Sequence, residues 1–181
     1  KGFFKKNGTE VKLVWHDNVV DSLDKFAAGK LDANAQPWTD TLMHIAQKVP
    51  LKTIMITLHS AGADALMVGP GIKRLSDLKG KKIALEEVAI MQFMVETALK
   101  KAGLTEKDVQ IMYMPAGDAT KAFMDGKVDA AAVWNPFVND IQVSGKGRPL
   151  FSSKDVPGMM SDALVASEKS LKEKRAEFVG L

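Results

Sequence analysis

The chain has 181 residues, 46% of them hydrophobic and 26% charged, with 25 Lys and Arg against 22 Asp and Glu. Such a composition buries a core and excludes a disordered, collagen-like or low-complexity polymer. The formal charge of +3 is spread among mixed signs, as in Lys169 to Glu177, with no basic block carrying interleaved aromatics, so nucleic acid is not an expected partner; the lack of cysteine excludes a disulfide framework and a thiolate metal site.

In chain order, residues 1–7 are helix-like and lack the apolar centre of a signal peptide, and no apolar run anywhere reaches the roughly 18 residues of a membrane span. Val11 to Trp15 is β-rich and predicts a strand. From Asp21 the sequence D-S-L-D-K-F-A-A-G-K-L-D-A-N-A-Q-P-W reads as an amphipathic helix closed by Gly29, then a short strand of small residues ending near Trp38. His44, between Met43 and Ile45, has a structural setting. Thr53 to His59 and Asp64 to Val68 read as strands, and a first crossing between two lobes is expected near Val68 to Ile72. The polar run Leu78 to Lys82 turns the chain into the second lobe.

Lys82 to Leu85 then predicts a strand, and Val88 to Lys101 a helix ended by Gly103, its buried face built from Ile90, Phe93, Met94, Val95, Ala98 and Ala102. Val109 to Met114 is β-rich. From Asp118 the sequence D-A-T-K-A-F-M-D-G-K-V-D-A-A-A-V-W repeats the earlier pattern, with Asp, Phe, Gly, Lys, Asp, Ala and Ala at the same internal offsets and Gly126 closing the helix. After Phe151, Pro157-Gly158 interrupts the chain before a strand-like Ala163 to Ala166 and a charged helix.

Each repeat follows a β-rich run, so each predicts a strand, helix and strand forming a parallel crossover, and the duplication predicts two similar α/β lobes. The expected division is residues 1–68 in lobe 1, 69–155 in lobe 2 and 156–181 returning to lobe 1, with hinges near Val68 to Ile72 and Lys154 to Asp162. Ligands in such sheets collect beyond the carboxyl ends of the strands. That rule selects Trp15, His16, Gln36, Trp38, Thr39, Ser60, Asp64, Glu87, Trp134 and Asn135 as ligand-binding candidates. For the tryptophans the plain alternative is partial burial in a core, for Glu86 it is a charge placed at a helix start, and for the ten methionines it is packing. Indole faces with carboxylates recognise cations, so the residues point to a small cationic or amide-rich nitrogen compound. Glu86 and Glu87 facing that ligand would disfavour an anion. No P-loop, dinucleotide fingerprint, nucleophile elbow or zinc motif occurs; no catalysis, cofactor or metal is expected.

The segments Gly2-Phe3-Phe4-Lys5-Lys6-Asn7-Gly8, Ser60-Ala61-Gly62-Ala63-Asp64, Asp77-Leu78-Lys79-Gly80-Lys81-Lys82 and Gly126 to Phe137 resemble the nitrate, sulfonate and taurine class of ABC-transporter substrate-binding proteins, which share character with NMT1/THI5-like binding domains. The resemblance covers essentially the whole chain. It implies a type II periplasmic binding fold, two lobes of parallel or mixed sheet around a central ligand cleft. It further implies a monomeric receptor in the periplasm or on the cell surface, with its signal or lipoprotein anchor upstream. Such a receptor delivers a small polar nitrogen- or sulfur-containing molecule to an ABC permease and catalyses nothing. Measured against the family, the chain lacks a strand before Gly2 and helices after Leu181. Two departures concern the ligand: Glu86-Glu87-Val88-Ala89 replaces a small Gly/Ser/Thr turn, and Trp134-Asn135-Pro136 replaces Trp-Glu-Pro. The rival resemblances are the effector domain of a LysR-type regulator and a thiamine-precursor (pyrimidine) binding or synthase-like protein, the synthase being marked by a cysteine-rich motif absent from this chain.

Overall fold

In the computed structural model, which describes residues 2–181, helix α1 (Phe3–Lys6) leads through an irregular stretch to α2 (Val19–Ala27). Asn18 starts α2 because its side-chain oxygen accepts the Asp21 N–H at 2.8 Å, and Gly29, at φ 70°, reverses the chain after it. Strand β1 (Ala33–Pro37) runs directly into α3 (Trp38–Ala46), followed by β2 (Leu51–His59) and β3 (Asp64–Val68). Then come β4 (Lys82–Leu85), α4 (Ala89–Lys101), β5 (Gln110–Tyr113), α5 (Ala116–Met124), β6 (Ala130–Trp134), α6 (Phe137–Val143) and β7 (Arg148–Ser152). Strand β8 (Ser161–Ser167) and helices α7 (Glu168–Glu173) and α8 (Arg175–Val179) complete the chain.

The chain divides into two units, residues 2–57 with 162–181 and residues 58–161. The division falls inside β2 and at the start of β8. Asp64–Val68, read from the sequence as the end of the first lobe, is instead a strand inside the second unit's sheet.

The first unit carries the three-stranded sheet β1-β8-β2. Strand β1 is antiparallel to β8, from Ala33 opposite Ala166 to Pro37 opposite Asp162, so the first repeat is not the parallel crossover expected from the sequence. The strand predicted over Val11 to Trp15 is also absent; Leu13, Val14 and Trp15 are exposed. A strand exists only where its backbone N–H and C=O groups find ladder partners, and neither edge of this sheet takes that segment. The core here is small: Phe26, Leu51, Ala163 and Val165, with Leu31, Trp38 and Val49 packed against them. Thr9, in the sequence Asn7-Gly8-Thr9, is buried and donates its hydroxyl to the Glu177 carbonyl at 2.9 Å.

The second unit carries the five-stranded sheet β5-β4-β6-β3-β7. Strand β4 is parallel to β5 and β6, whereas β3 is antiparallel to β6 and β7. Here the second repeat forms the expected crossover: β5, α5 and β6, with β4 between the two strands. Side chains alternate across the sheet. On one face Ala65, Met67, Ala84, Ala131 and Val133 pack with Ala119 and Phe123 of α5 and Val138 and Ile141 of α6. The alternate residues Leu66, Val68, Ile83, Ala130 and Ala132 are fully buried as well, and α4 turns Met91, Met94, Ala98 and Leu99 inward. The alanine run of β6 gives helices close access to the sheet centre, the position a parallel strand covered on both faces occupies.

Candidate ligand-binding site

Because β4, β5 and β6 run parallel and β3 opposes them, the carboxyl ends of the first three and the start of β3 lie on one edge of the second unit's sheet. Asp64 stands directly opposite Trp134 in the β3–β6 ladder. Of the ten candidates, this unit places Ser60, Asp64, Glu87, Trp134 and Asn135 in the segments at that edge.

Hydrogen bonds tie the segments of this edge together. Ser60 is buried, its hydroxyl 2.8 Å from the Ser153 hydroxyl, and Ser153 Oγ accepts the Gly62 N–H at 2.6 Å. The Asn135 N–H donates to the Ala63 carbonyl at 2.9 Å, and the Asn135–Pro136 bond is cis. Trp134, half-buried, meets Phe137 edge-on with ring centroids 6.2 Å apart and planes at 75°. Burial raises the Asp64 carboxyl above its ordinary value of 3.8, against the opposing effect of its hydrogen bond with Ser60. Glu87 is exposed, whereas its neighbour Glu86 is buried. Glu86 Oε2 accepts the backbone N–H of Ala116, the first residue of α5, at 3.2 Å. The sequence associated Glu86 with the helix that follows it; this bond also ties it to the start of α5.

The first unit treats its five candidates differently. Trp15 is 87% exposed. The His16 imidazole donates from Nδ1 to Asp21 Oδ2 at 2.5 Å, while Lys25 Nζ lies 2.7 Å from the same oxygen. Its Nε2 is the one buried side-chain N or O atom without a hydrogen-bond partner among the described residues. Gln36 is 2% exposed and its amide is spent inside the protein. It accepts from Asn34 Nδ2 at 3.1 Å and donates to Thr41 Oγ1 at 3.1 Å and His44 Nδ1 at 3.2 Å. Trp38 packs against the Phe26 and Leu51 core, and the Thr39 hydroxyl donates to Asp40 at 3.2 Å. For Trp38 this is the partial core burial weighed as its plain alternative, and the Gln36 amide is taken up by neighbours within the first unit.

Residues the sequence did not single out complete the edge. Ser153 and Lys154, from the segment after β7, are brought onto the Ser60 to Asp64 turn, with the Lys154 stem lying over Gly62. Tyr113, at the end of β5, takes a long hydrogen bond of 3.5 Å from the Gln92 amide of α4. No local pattern announces these meetings, since Gly62 and Ser153 are 91 positions apart. Among the described residues no group of three or more His, Cys, Asp or Glu side chains could hold a metal ion, and no helix is long and apolar enough to cross a membrane.

Two mixed α/β units of this construction define the fold of periplasmic binding proteins. The structure is similar to the alkanesulfonate-binding protein SsuA from Xanthomonas axonopodis pv. citri bound to MOPS, with a TM-score of 0.85 at 22% identity over 94% of this chain and 60% of that one. The family model described as NMT1/THI5 like matches residues 1–180, and the chain belongs to that family. In sequence it is 31% identical over 179 residues, 97% of this chain and 56% of the relative, to an Escherichia coli (strain K12) protein whose name assigns it aliphatic sulfonates. It is 26% identical over 144 residues, 80% of this chain and 45% of the relative, to the taurine-binding periplasmic protein of the same organism. The chain thus spans about half the length of these relatives.

Proposed function

We propose that this chain is the solute-binding part of an ABC importer: an extracytoplasmic, non-catalytic receptor that captures a small polar nitrogen- or sulfur-containing molecule and passes it to a permease. The observation that carries the reading is the carboxyl edge of the second unit's sheet, where a half-buried carboxylate, Asp64, and an indole, Trp134, stand opposite each other in the β3–β6 ladder. The position is where open α/β sheets bind ligands, and the naming of relatives after sulfonates and taurine supports a transported small molecule as the cargo.

Asp64, Trp134, Asn135 and Ser60 are the ligand-binding residues of this reading, with Glu87 at the exposed rim. Binding needs no reaction here; ligand contacts favour one conformational state and the permease reads that state. Native mass spectrometry of protein purified from its own host without denaturation tests the proposal. One low-mass ligand per chain is expected, lost in Asp64→Ala and in Trp134→Ala with the fold intact by circular dichroism. A chain that carries no small molecule, or that retains it undiminished in both variants, overturns the assignment.

A further inference from the structure

Helix α5 begins without a side-chain cap of its own, since Pro115 precedes it. Its first amide, Ala116 N–H, is nevertheless satisfied, by the buried carboxylate of Glu86 reaching across from the loop after β4. A nine-residue helix presents partial positive charge at its start, which ordinarily suits an anion. Here the protein's own carboxylate already occupies that position. Asp118 adds a second acid to the first turn, and Glu87 and Asp64 belong to the same sheet edge. The segments 60–64, 86–88, 113–118 and 134–136 contain no Lys or Arg; the stem of Lys154 lies over Gly62.

We infer that Glu86 is a specificity-determining residue: by supplying an internal anion to the start of α5, it excludes sulfonates and other anionic head groups from this edge and selects ligands that present a cation or N–H donors there. The inference rests on the proposed solute-binding role and gives that site its ligand class. A ligand ammonium or guanidinium at the edge finds carboxylate acceptors and an indole face. A sulfonate finds the helix start taken and a like charge beside it.

The test uses two probes of equal alkyl length and opposite charge, 1-propanesulfonate and propylguanidinium, titrated calorimetrically into the full chain. The wild type is expected to bind propylguanidinium at least about tenfold more tightly than the sulfonate. Glu86→Gln keeps an acceptor for Ala116 N–H and removes the charge, and is expected to shrink that ratio at least about tenfold. A wild type that prefers the sulfonate, or a ratio unchanged in Glu86→Gln, overturns the role of Glu86 while the binding itself sustains the solute-binding reading. If neither probe binds and natively purified protein releases no small molecule, the solute-binding reading fails and the inference with it. The wild-type comparison stands even where the variant does not fold.

Discussion

Gln36 separates a structural role from a ligand role in one experiment. Substituting it with Met keeps the side chain's length and approximate volume but deletes three hydrogen bonds: from Asn34 at 3.1 Å, to Thr41 at 3.1 Å and to His44 at 3.2 Å. Thr41 keeps a partner, because its hydroxyl donates to the Pro37 carbonyl at 3.1 Å. His44 Nδ1 does not gain one: it must be the acceptor in its contact with the Gln36 amide N–H, and it sits on a buried residue. Counting about 1 kcal/mol for each bond and somewhat more for the stranded acceptor gives a loss of about 3–4 kcal/mol. That is a large share of the roughly 5–15 kcal/mol that holds a typical domain together, and corresponds to a fall in Tm of roughly 6–16 °C at about 2–4 °C per kcal/mol. Urea denaturation followed by tryptophan fluorescence reads it, with Trp38 packed on the same core. A Gln36→Met protein whose midpoint stays at the wild-type value would refute the buried-network reasoning.

Asp64 has the opposite sign. Its folded carboxyl is raised above 3.8, so its stability contribution is fully present below the unfolded value and lost as pH rises through the folded one; Asp64→Asn is expected to be more stable than the wild type at pH 7, with the gap closing as pH falls toward 3.8, by thermal melts across that range. His44 is lowered from 6.5, chiefly by burial against the pull of Asp40 and Asp24, so the unfolded chain takes up a proton first; stability should decline as pH drops below 6.5, and His44→Gln should flatten that decline. Gly126, at φ 71°, should cost about 1–2 kcal/mol when changed to Ala, measured as a shift in the urea midpoint, because an L side chain is strained there although open space surrounds its Cβ.

Most of the second unit was legible because its signals are local. The apolar run Lys82 to Leu85, the period of Val88 to Lys101 and the glycines at 103 and 126 each declare an element from neighbouring residues alone, and β3 and β4 begin and end where the sequence put them. Val11 to Trp15 looks equally β-rich and is not a strand, because strand identity is a property of the pair and that segment has no partner. Gln36 looked like a ligand residue for a related reason. A polar side chain at a strand end is read as facing solvent or solute, and only the fold discloses that Asn34, Thr41 and His44 surround it.

The site shows the same limit at its most consequential position. Adjacent glutamates following a strand are locally equivalent, and the helix-start rule assigned Glu86 to the helix that follows it in sequence. Its carboxylate meets the N–H of Ala116, 30 positions away, where the parallel order of β4 beside β5 brings the end of one strand next to the helix after the other. The charge that sets this edge apart is thus carried by a nonlocal hydrogen bond. A single-residue reading could name the acid, but only the strand order could say that it reaches the start of α5.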